Sequence, residues 1–528
     1  MNNMFVKDII KEVKGTVYLL NGNKEIIYEY SNISSEDKEF ENTYKALTGN
    51  IFDVEIANVV TDSRLAGKDN VYVAIKGERN DGNDFIINTF ENGAVAAIGE
   101  RPANELFKEA DTKYTVTEKM EEDDEDIDIE FVFDNSDECT YIYIEAESSV
   151  YALGRIAHAY MDILDIPVVG ITGSVGKTSA KETIASVLGE RFNVGKTPGN
   201  LNNLIGLPLT CFTFDKNTEI AVVEMGVSEI GEMDHMTDIV KPDVAVITNI
   251  GVSHMENFGS REGIYNEKIK LANVLPESGV AVLNFDDDHL KNYKRDGITV
   301  RFYSMSKNGD GIVDEDQLVY ADSFKSDGLH GSECKIRNLN IHNNLTDVDV
   351  KINVPGKHMV YPALQAAIVG AHFGLNAEDI ANGIAKRATT NGRMNIIETE
   401  KGYTVIDDCY NASPSSMKAG IDTLTYADGR KICILGDMFE LGADELPLHR
   451  EIGEYVSDKN IDILITIGNL SKEMASAAEN ANGVTKVVSF EANEPAIEYI
   501  KSIIEKNDTV LIKASNSMKF SEIVDALK

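Results

Sequence analysis

The sequence predicts an α/β protein with three domains, and three observations lead to this class. The chain has 528 residues, which is too long for one ordinary hydrophobic core. Short apolar runs rich in β-branched residues alternate with helical segments, as is typical of parallel strands joined by crossover helices. A glycine-rich turn, "GITGSVGKTSAKE" (Gly170–Glu182), lies between one such run and a helical segment. We therefore expect a central parallel-sheet domain of the phosphate-loop type, a C-terminal Rossmann-like domain and an N-terminal α/β domain.

The predicted domains cover residues 1–147, 148–390 and 391–528. The first part has the least regular pattern and contains the acidic block "EEDDED" (Glu121–Asp126). Unbroken like charge repels itself, so we expect this block in a solvated loop or an insertion rather than at a metal.

Eight predicted strands define the other two domains. In the central domain they are Ile166–Thr172, Glu219–Gly226, Asp243–Gly251 and Gly279–Asp286. In the C-terminal domain they are Tyr403–Asp408, Lys431–Asp437, Asp462–Gly468 and Asp508–Ser515. After the glycine turn, Ala180, Ile184, Val187 and Leu188 recur on one face of a predicted helix.

Composition and charge exclude several functional classes. The formal net charge of −38 opposes binding to nucleic acid and to anionic membranes. The apolar runs are too short for a membrane span, and the N-terminus lacks the apolar core of a signal peptide. The five cysteines are scattered without a C-x-x-C pair, which favours a reducing compartment over disulfides or zinc. We expect a cytoplasmic protein without stable membrane insertion.

The glycine turn is a candidate nucleotide site, although it is two residues shorter than the usual phosphate-binding loop. The strand–turn–helix context directs backbone N–H groups and a helix N-terminus at an anion. A lysine at this position reaches the β- and γ-phosphates, and the threonine hydroxyl binds Mg²⁺. The alternative is a strand-to-helix turn with an exposed lysine. The candidate residues are Gly173, Ser174, Val175, Gly176, Lys177 and Thr178.

Two polar residues follow other strands of the central domain. Glu224 ends "AVVEMG" and His254 follows "AVITNIGVSH". The carboxyl ends of strands in an open sheet deliver ligands, so both residues are candidate metal ligands. Each also has a simpler interpretation, as a turn carboxylate and as a hydrogen-bonded histidine.

Lys268 has an unusual position in "REGIYNEKIKLANVLP". Helical spacing places it on the apolar face with Ile264, Leu271 and Ala272, whereas Lys270 lies on the polar face. An inward-facing lysine either extends its ammonium to the edge of the core or has a lowered pKa or a chemical modification.

Seven motifs in order resemble the Mur ligase family. They are "GITGSVGKTSAKE", "TPGNLNNLIGLPLT" (Thr197–Thr210), "VVEMG", "TNIGVSHMENFGSREGI" (Thr248–Ile264), "NGRMNIIE" (Asn391–Glu398), "DDCYNASPSSM" (Asp407–Met417) and "ILGDMFELG" (Ile434–Gly442). The resemblance runs from about Asp62 to near the C-terminus, and the short glycine loop is this family's own form.

The resemblance implies an ATP-dependent ligase of cytoplasmic peptidoglycan synthesis, on which cell wall growth, cell shape and division depend. Its first domain would hold the uridine nucleotide end of UDP-muramoyl-tripeptide, and the central domain would bind ATP. The C-terminal domain would close over the site with the incoming amine, D-alanyl-D-alanine. ATP would phosphorylate the terminal carboxylate of the tripeptide, and the amine would then displace phosphate.

The resemblance also implies roles for particular residues. Lys177, His254 and Lys268 would be catalytic. Mg²⁺ would be held by Thr178, Glu224, His254 and Lys268, the lysine being carried as an N6-carboxylate (carbamate). The nucleotide would be contacted by Arg393 and Asp408, and the sugar–peptide substrates by Ser63, Arg64, Asn200, Asn202, Asn203 and Asn411.

The chain departs from the family pattern at several positions. Met359 and Pro362 replace two asparagines of the segment that reads adenine, so we expect altered base contacts. The usual Lys-Gly-Ser-Arg appears as "KASN", with Ala514 and Asn516, which removes an arginine that could bind a carboxylate. In the first domain, the segment "AIKGERNDGNDF" (Ala74–Phe85) also departs from the pattern. Asn80 and Asn83 stand where the family commonly has an aromatic residue and a histidine.

Three alternatives remain at this point. The fold and chemistry could serve another amine, which the "KASN" and "HMVYPAL" segments allow. A non-catalytic paralogue is disfavoured by Lys177, Glu224, His254 and Lys268. A GTPase-type switch lacks the Asn-Lys-x-Asp motif.

Overall fold

The computed structural model describes residues 1, 3–31, 43–48, 51–110, 117–123, 126–132, 139–307, 317–387, 389, 392–481 and 486–528. These residues form two compact units. The first contains Met1–Pro167, Thr197–Ala221 and Asp234–Lys241, and the second contains Val168–Lys196, Val222–Met233 and Pro242–Lys528. The predicted boundary at 390/391 lies outside the described residues, so the three domain limits stay predictions.

The first unit contains a seven-stranded sheet. Its order is β4-β5-β6-β10-β1-β2-β7, with parallel pairing from β4 to β10 and antiparallel pairing of β1 with β10 and β2. The strands are β1 (Gly15–Leu20), β2 (Glu25–Ser31), β4 (Asn58–Val60), β5 (Asn70–Val73), β6 (Ala96–Gly99), β7 (Lys108–Glu109) and β10 (Tyr141–Ala146). The helices of this part are α1 (Val6–Glu12), α2 (Ile86–Glu91), α3 (Ala103–Leu106), α4 (Ser149–Leu164) and α6 (Gly206–Cys211).

Strand and helix side chains share one core in this unit. Val17, Val71 and Ile142 from three strands pack in a buried cluster with Leu153 and Ile156 of α4. The apolar face of α4 therefore covers the sheet, as binary patterning predicts for a helix over a sheet.

The acidic block does not form the predicted loop. A three-stranded sheet in the order β3-β9-β8 consists of β3 (Thr43–Thr48), β8 (Thr117–Asp123) and β9 (Asp126–Val132). Asp123 pairs with Asp126 in antiparallel register, so the described residues of the block lie in two paired strands; residues 124–125 lie outside the described residues. Backbone pairing here prevails over like-charge repulsion.

A nine-stranded sheet forms the framework of the central region, in the order β12-β13-β11-β14-β15-β16-β17-β18-β19. Its strands are β11 (Val168–Thr172), β12 (Val194–Lys196), β13 (Ile220–Glu224), β14 (Val244–Ile247), β15 (Val280–Asn284), β16 (Thr299–Ser304), β17 (Leu318–Ser326), β18 (Ser332–Ile341) and β19 (Asn344–Ile352). The four predicted central strands are confirmed. Pairing is parallel from β11 to β17, but β17, β18 and β19 are antiparallel, so the expectation of wholly parallel sheets is wrong at this edge.

The helix after the glycine turn, α5 (Lys177–Leu188), begins and packs as predicted. Its inward positions are all buried: Ala180, Ile184, Val187 and Leu188. The other helices of the central region are α7 (Glu232–Val240), α8 (Met255–Phe258), α9 (Arg261–Lys268), α10 (Lys270–Asn273), α11 (Val360–His372) and α12 (Ala377–Lys386).

A six-stranded sheet forms the C-terminal region, in the order β20-β21-β25-β22-β23-β24. Its strands are β20 (Asn395–Glu398), β21 (Thr404–Asp407), β22 (Lys431–Gly436), β23 (Ile463–Ile467), β24 (Lys486–Phe490) and β25 (Thr509–Lys513). Its helices are α13 (Pro414–Leu424), α14 (Glu445–Ser457), α15 (Lys472–Asn480), α16 (Asn493–Ile503) and α17 (Ser521–Leu527). All pairs are parallel except β20 with β21, and the four predicted strands are confirmed.

Candidate functional site

The glycine turn has a backbone that only glycine accepts without strain. Gly173 has φ +142° and Gly176 has φ +90°. A Cβ atom on Gly173 would lie 1.9 Å from Oγ1 of Thr248, far inside van der Waals contact. Gly176 precedes α5 without a capping side chain, which leaves the helix N-terminus open to an anion.

Residues after β14 fix the shape of this loop. Asn249 Oδ1 accepts from the Val175 N–H at 3.1 Å, and its Nδ2 donates to the Val175 carbonyl at 2.9 Å. Thr248 Oγ1 donates to the same carbonyl at 2.6 Å. Sequence reasoning missed both residues, although their place at the carboxyl end of a predicted strand was the available signal.

The two functional side chains that begin α5 have separate partners. Lys177 Nζ donates to the Gly173 carbonyl at 2.8 Å and folds back over the loop. Thr178 Oγ1 donates to Glu224 Oε2 at 3.0 Å, and both residues are buried. Lys181, also buried and missed from the sequence, places Nζ 3.9 Å from the same carboxylate.

The charges around Lys177 favour its binding to an anion. Burial lowers the pKa of Lys177; nearby Arg393 acts in the same direction, while Glu224 opposes them. A phosphate group brought to this ammonium would supply the opposite charge that the site lacks. The contact between Glu224 and Thr178 and the position of Lys177 over the loop support a phosphate site more than a turn with an exposed lysine.

Lys268 points into the core at the end of α9. Its side chain is 2% exposed, and Nζ lies 5.9 Å from the centre of the Phe258 ring. Burial, followed by the charge of Lys177, lowers the pKa of Lys268 to about 7. The ammonium does not reach the edge of the core, and its lowered pKa favours the second interpretation of this lysine, a lowered pKa or a chemical modification, which stays a prediction.

The candidate metal ligands are only partly brought together. Thr178 and Glu224 are in direct contact, and they offer the oxygen donors that Mg²⁺ prefers, so the residues present fit this ion. His254 has a left-handed backbone with φ +59°, and its Nδ1 lies 2.9 Å from Glu440 Oε2. Among the described residues, His254 therefore pairs with Glu440, whereas Thr178 pairs with Glu224.

Two candidate residues of the C-terminal region, Asp408 and Asn411, bond to a lysine that sequence reasoning did not select. Lys513 is 3% exposed and donates to Asp408 Oδ2 at 2.6 Å and to the Asn411 carbonyl at 3.0 Å. The Arg393 guanidinium lies 4.0 Å from the centre of the Tyr410 ring. Lys513 therefore holds two candidate residues, Asp408 and Asn411, in place. The sequence feature that could have identified it is a charged residue at the end of an apolar strand.

The candidate substrate residues of the first unit are local and largely exposed. Arg64 is 85% exposed, and its Nε donates to Asp62 Oδ1 at 2.8 Å; Ser63 lies beside it in the same turn. The other candidates lie in a turn in which the Asn202 N–H donates to the Asn200 carbonyl and Asn203 Oδ1 accepts from the Gly206 N–H.

The departures from the family pattern have visible structural roles. Asn83 is buried and its Oδ1 accepts from the Glu100 N–H at 3.0 Å, whereas Asn80 is exposed. Met359 and Pro362 are both buried at the start of α11. Ala514 is fully buried against Gly436, and Asn516 is exposed.

In the parts of the chain that the structure describes, no helix has the length and apolar character needed to cross a lipid bilayer.

Three family models match the chain in order. The Mur ligase family, catalytic domain, matches residues 55–129, the Mur ligase middle domain matches 171–370, and the Mur ligase, glutamate ligase domain, matches 392–516. The glycine loop lies in the middle-domain match, and Arg393, Asp408 and Lys513 lie in the last.

Curated relatives and solved structures resemble nearly the whole chain. The UDP-N-acetylmuramoyl-tripeptide–D-alanyl-D-alanine ligase of Bacillus subtilis (strain 168) is 36% identical over 475 residues, covering 89% of this chain and 93% of the relative. The ligase of the same name from Escherichia coli (strain K12) is 29% identical over 478 residues, covering 90% and 94%. A crystal structure of MurF from Acinetobacter baumannii superposes with a TM-score of 0.74 at 26% identity, covering 90% and 94%. MurF ligase from Thermotoga maritima in complex with ADP gives a TM-score of 0.71 at 28% identity, covering 89% and 96%.

The ordered motifs, the three matched domains and the shared identity lead to one conclusion: this chain belongs to the Mur ligase family.

Proposed function

We propose that this chain joins D-alanyl-D-alanine to UDP-N-acetylmuramoyl-tripeptide at the expense of ATP, in the cytoplasmic synthesis of peptidoglycan precursors. The observation that carries the proposal is the buried Thr178–Glu224 pair beside a glycine loop with Lys177 folded over it. Relatives that bear this activity in their names match about nine-tenths of the chain.

The chemistry proceeds in two transfers. The tripeptide carboxylate attacks the γ-phosphorus of ATP, and ADP leaves with the bridging oxygen, giving an acyl phosphate. The amine of D-alanyl-D-alanine then attacks the acyl carbon, inorganic phosphate leaves, and the nitrogen releases a proton. Both steps depend on positioning and on the neutralisation of phosphate charge.

The residues of the loop supply this positioning. Lys177 and the N-terminal N–H groups of α5 hold the terminal phosphates, as a cation and as oriented donors respectively. Thr178 and Glu224 would hold Mg²⁺, with His254 as a further ligand, and the ion would neutralise phosphate charge. Arg393 and Asp408 contact the nucleotide from the C-terminal side, and Lys513 fixes Asp408 by its bond of 2.6 Å.

Lys268 serves in this scheme as a carbamate. The pKa of Lys268 is lowered to about 7, so a large share of the side chain is neutral at physiological pH. The neutral amine adds to CO₂ and releases one proton, which converts a buried cation beside Lys177 into an anion. The change removes a like-charge repulsion and provides an oxygen ligand in the neighbourhood of Lys177.

The remaining candidate residues bind the two other substrates. Ser63, Arg64, Asn200, Asn202 and Asn203 contact UDP-muramoyl-tripeptide, and the exposure of Arg64 leaves its guanidinium available to an anionic substrate. Asn411 is exposed, and its carbonyl accepts a hydrogen bond from Lys513. In this proposal its side chain contacts the peptide substrate. The five cysteines are all free thiols, which supports a cytoplasmic location.

A second candidate function is ligation of a different amine by the same chemistry. It is favoured by Ala514 and Asn516, since the family's arginine at the last position would bind a carboxylate.

The test is phosphate release from ATP by the purified protein with Mg²⁺ and UDP-muramoyl-tripeptide, with and without D-alanyl-D-alanine, and with products weighed by mass spectrometry. We expect release that depends on the dipeptide and a pentapeptide product. Release that answers only to another amine would establish the second candidate, and nucleotide binding without turnover on any amine would overturn both.

A further inference from the structure

Arg387 is a buried cation with few partners among the described residues. It follows the last residue of α12, is 6% exposed, and its Nε has no hydrogen-bond partner. Its Nη1 donates a weak hydrogen bond to the Met359 sulfur at 3.9 Å. Among the described residues, no carboxylate lies within ion-pair distance of its guanidinium. Burying a guanidinium with so few hydrogen-bond partners destabilises the folded state, unless a ligand completes its hydrogen bonds.

The packing of α12 places Arg387 beside the helix that follows the glycine loop. Ser186 Oγ donates to the Gly383 carbonyl at 2.6 Å, and Arg191 bonds to Asp379 at 2.5 Å, so the two helices run antiparallel. Continuing this register brings Arg387 level with Thr183 of α5. That point lies about 9 Å along the helix axis from Lys177, at 1.5 Å per residue.

Electrostatic effects also connect Arg387 with the phosphate loop, through Arg393. Arg393 lowers the pKa of Lys177, and it also contributes to lowering the pKa of Arg387 to about 10, after the larger effect of burial. Glu182 of α5 acts on Arg387 in the opposite direction. Arg393 is therefore close enough to both Lys177 and Arg387 for its charge to act on each.

We propose that Arg387 is a nucleoside-binding residue, whose guanidinium donates to an acceptor atom of the base or ribose of ATP beside the Met359 thioether. This inference rests on the proposed function, since it takes the phosphates of ATP to lie at Lys177. A flat guanidinium next to a polarisable sulfur suits an aromatic base in both hydrogen bonding and stacking. The free Nε provides the donor that the nucleoside satisfies.

The test compares ATP with inorganic tripolyphosphate, which has the phosphates but not the nucleoside. Binding of each, with Mg²⁺, is measured by calorimetry on the full chain and on Arg387→Met. We expect at least about a tenfold loss of ATP affinity, as for a hydrogen bond to a charged group, and no change for tripolyphosphate. Thermal unfolding without nucleotide should give a melting temperature equal to or above that of the wild type, because the variant removes an uncompensated buried charge.

Two further variants make the test decisive. Lys386→Met changes the neighbouring exposed lysine, which pairs with Glu190, and should leave both affinities unchanged. Arg387→Lys keeps the positive charge but lacks the planar guanidinium, so it should bind ATP more weakly than the wild type. This variant replaces Arg387→Met in the experiment if Arg387→Met does not fold.

The other outcomes overturn the inference. Equal losses for ATP and tripolyphosphate would assign Arg387 to a phosphate, and unchanged ATP affinity with a lower melting temperature would make it a structural residue. A wild-type protein that binds both ligands equally contradicts the inference but leaves the proposed ligase standing, whereas one that binds neither overturns both.

Discussion

At the scale of single residues, Lys268 connects sequence, burial and chemistry. Helical spacing alone placed it on the apolar face of its segment, and the structure buries it with a pKa lowered to about 7. The spacing could not predict that Lys268 lies near Lys177, because Lys177 is about ninety positions earlier in the sequence. The proposed carbamate depends on that proximity in the folded chain.

Replacing Lys268 by alanine should abolish most ligase activity and leave the fold intact. The variant removes the group that becomes the carbamate, so the anion near the metal residues is lost. Added short carboxylic acids should enter the vacated space and restore part of the activity. Initial rates of phosphate release with and without acetate or propionate measure this effect.

The matched control is Lys270→Ala, which lies on the same segment and pairs with Glu267 at 2.7 Å. It should retain activity and show no response to carboxylic acids. Since only the neutral amine adds CO₂, wild-type activity in bicarbonate-poor buffer should also fall below about pH 7. Wild-type rates in Lys268→Ala without added acid would contradict the assignment.

At the scale of elements, the apolar runs of the central and C-terminal regions predicted their strands well. Runs such as "VVGIT" and "TVLIK" are buried along their whole length in β11 and β25, and this gives a signal that needs no tertiary information. The antiparallel pair β18 and β19 was missed because its strands alternate buried and exposed residues and carry many charges. The pair β8 and β9 was missed because the unbroken acidic run of residues 121–126 contains no apolar residue.

The contacts that shape the site were not accessible from the sequence. Asn249 and Lys513 act through bonds to backbone atoms of segments far away along the chain. Periodicity identifies which face of an element is buried, but it does not identify which carbonyl a side chain reaches.

Asn249→Ala should loosen the phosphate loop and raise the KM for ATP with a smaller effect on stability. The substitution removes both the acceptor for the Val175 N–H and the donor to the Val175 carbonyl. Each neutral hydrogen bond is worth about 1 kcal/mol, so an increase in KM of roughly tenfold is expected. Steady-state kinetics at saturating amine and tripeptide give the value.

Asn249→Asp is the matched comparison for this loop. It keeps an acceptor for the Val175 N–H but loses the donor, and it places a negative charge near the phosphates. Its KM should therefore rise at least as far as that of the alanine variant. Unchanged KM values in both variants would mean that the loop keeps its shape without Asn249.

At the scale of the whole molecule, the excess of acidic residues is the dominant electrostatic feature. The chain has 88 acidic and 50 basic residues, and both proposed nucleotide substrates are anions. Binding must therefore rely on cations close to the site, and Lys177, Arg393, Arg387 and Lys513 provide them. Each of these is partly or fully buried, so water and salt screen its charge less than they screen the carboxylates of the surface.

The net charge of −38 should make the folded state more stable as salt is added. Repulsion among surface carboxylates opposes the compact state, and the Debye length falls from about 30 Å at 0.01 M to about 8 Å at 0.15 M ionic strength. We expect the melting temperature to rise over this range in sodium chloride and to remain nearly constant in equal concentrations of glucose. Differential scanning calorimetry without nucleotide or Mg²⁺ measures the shift and avoids the separate effect of ligand binding. A melting temperature that falls with salt would mean that attractive ion pairs, such as Arg430 with Asp508, outweigh the repulsion.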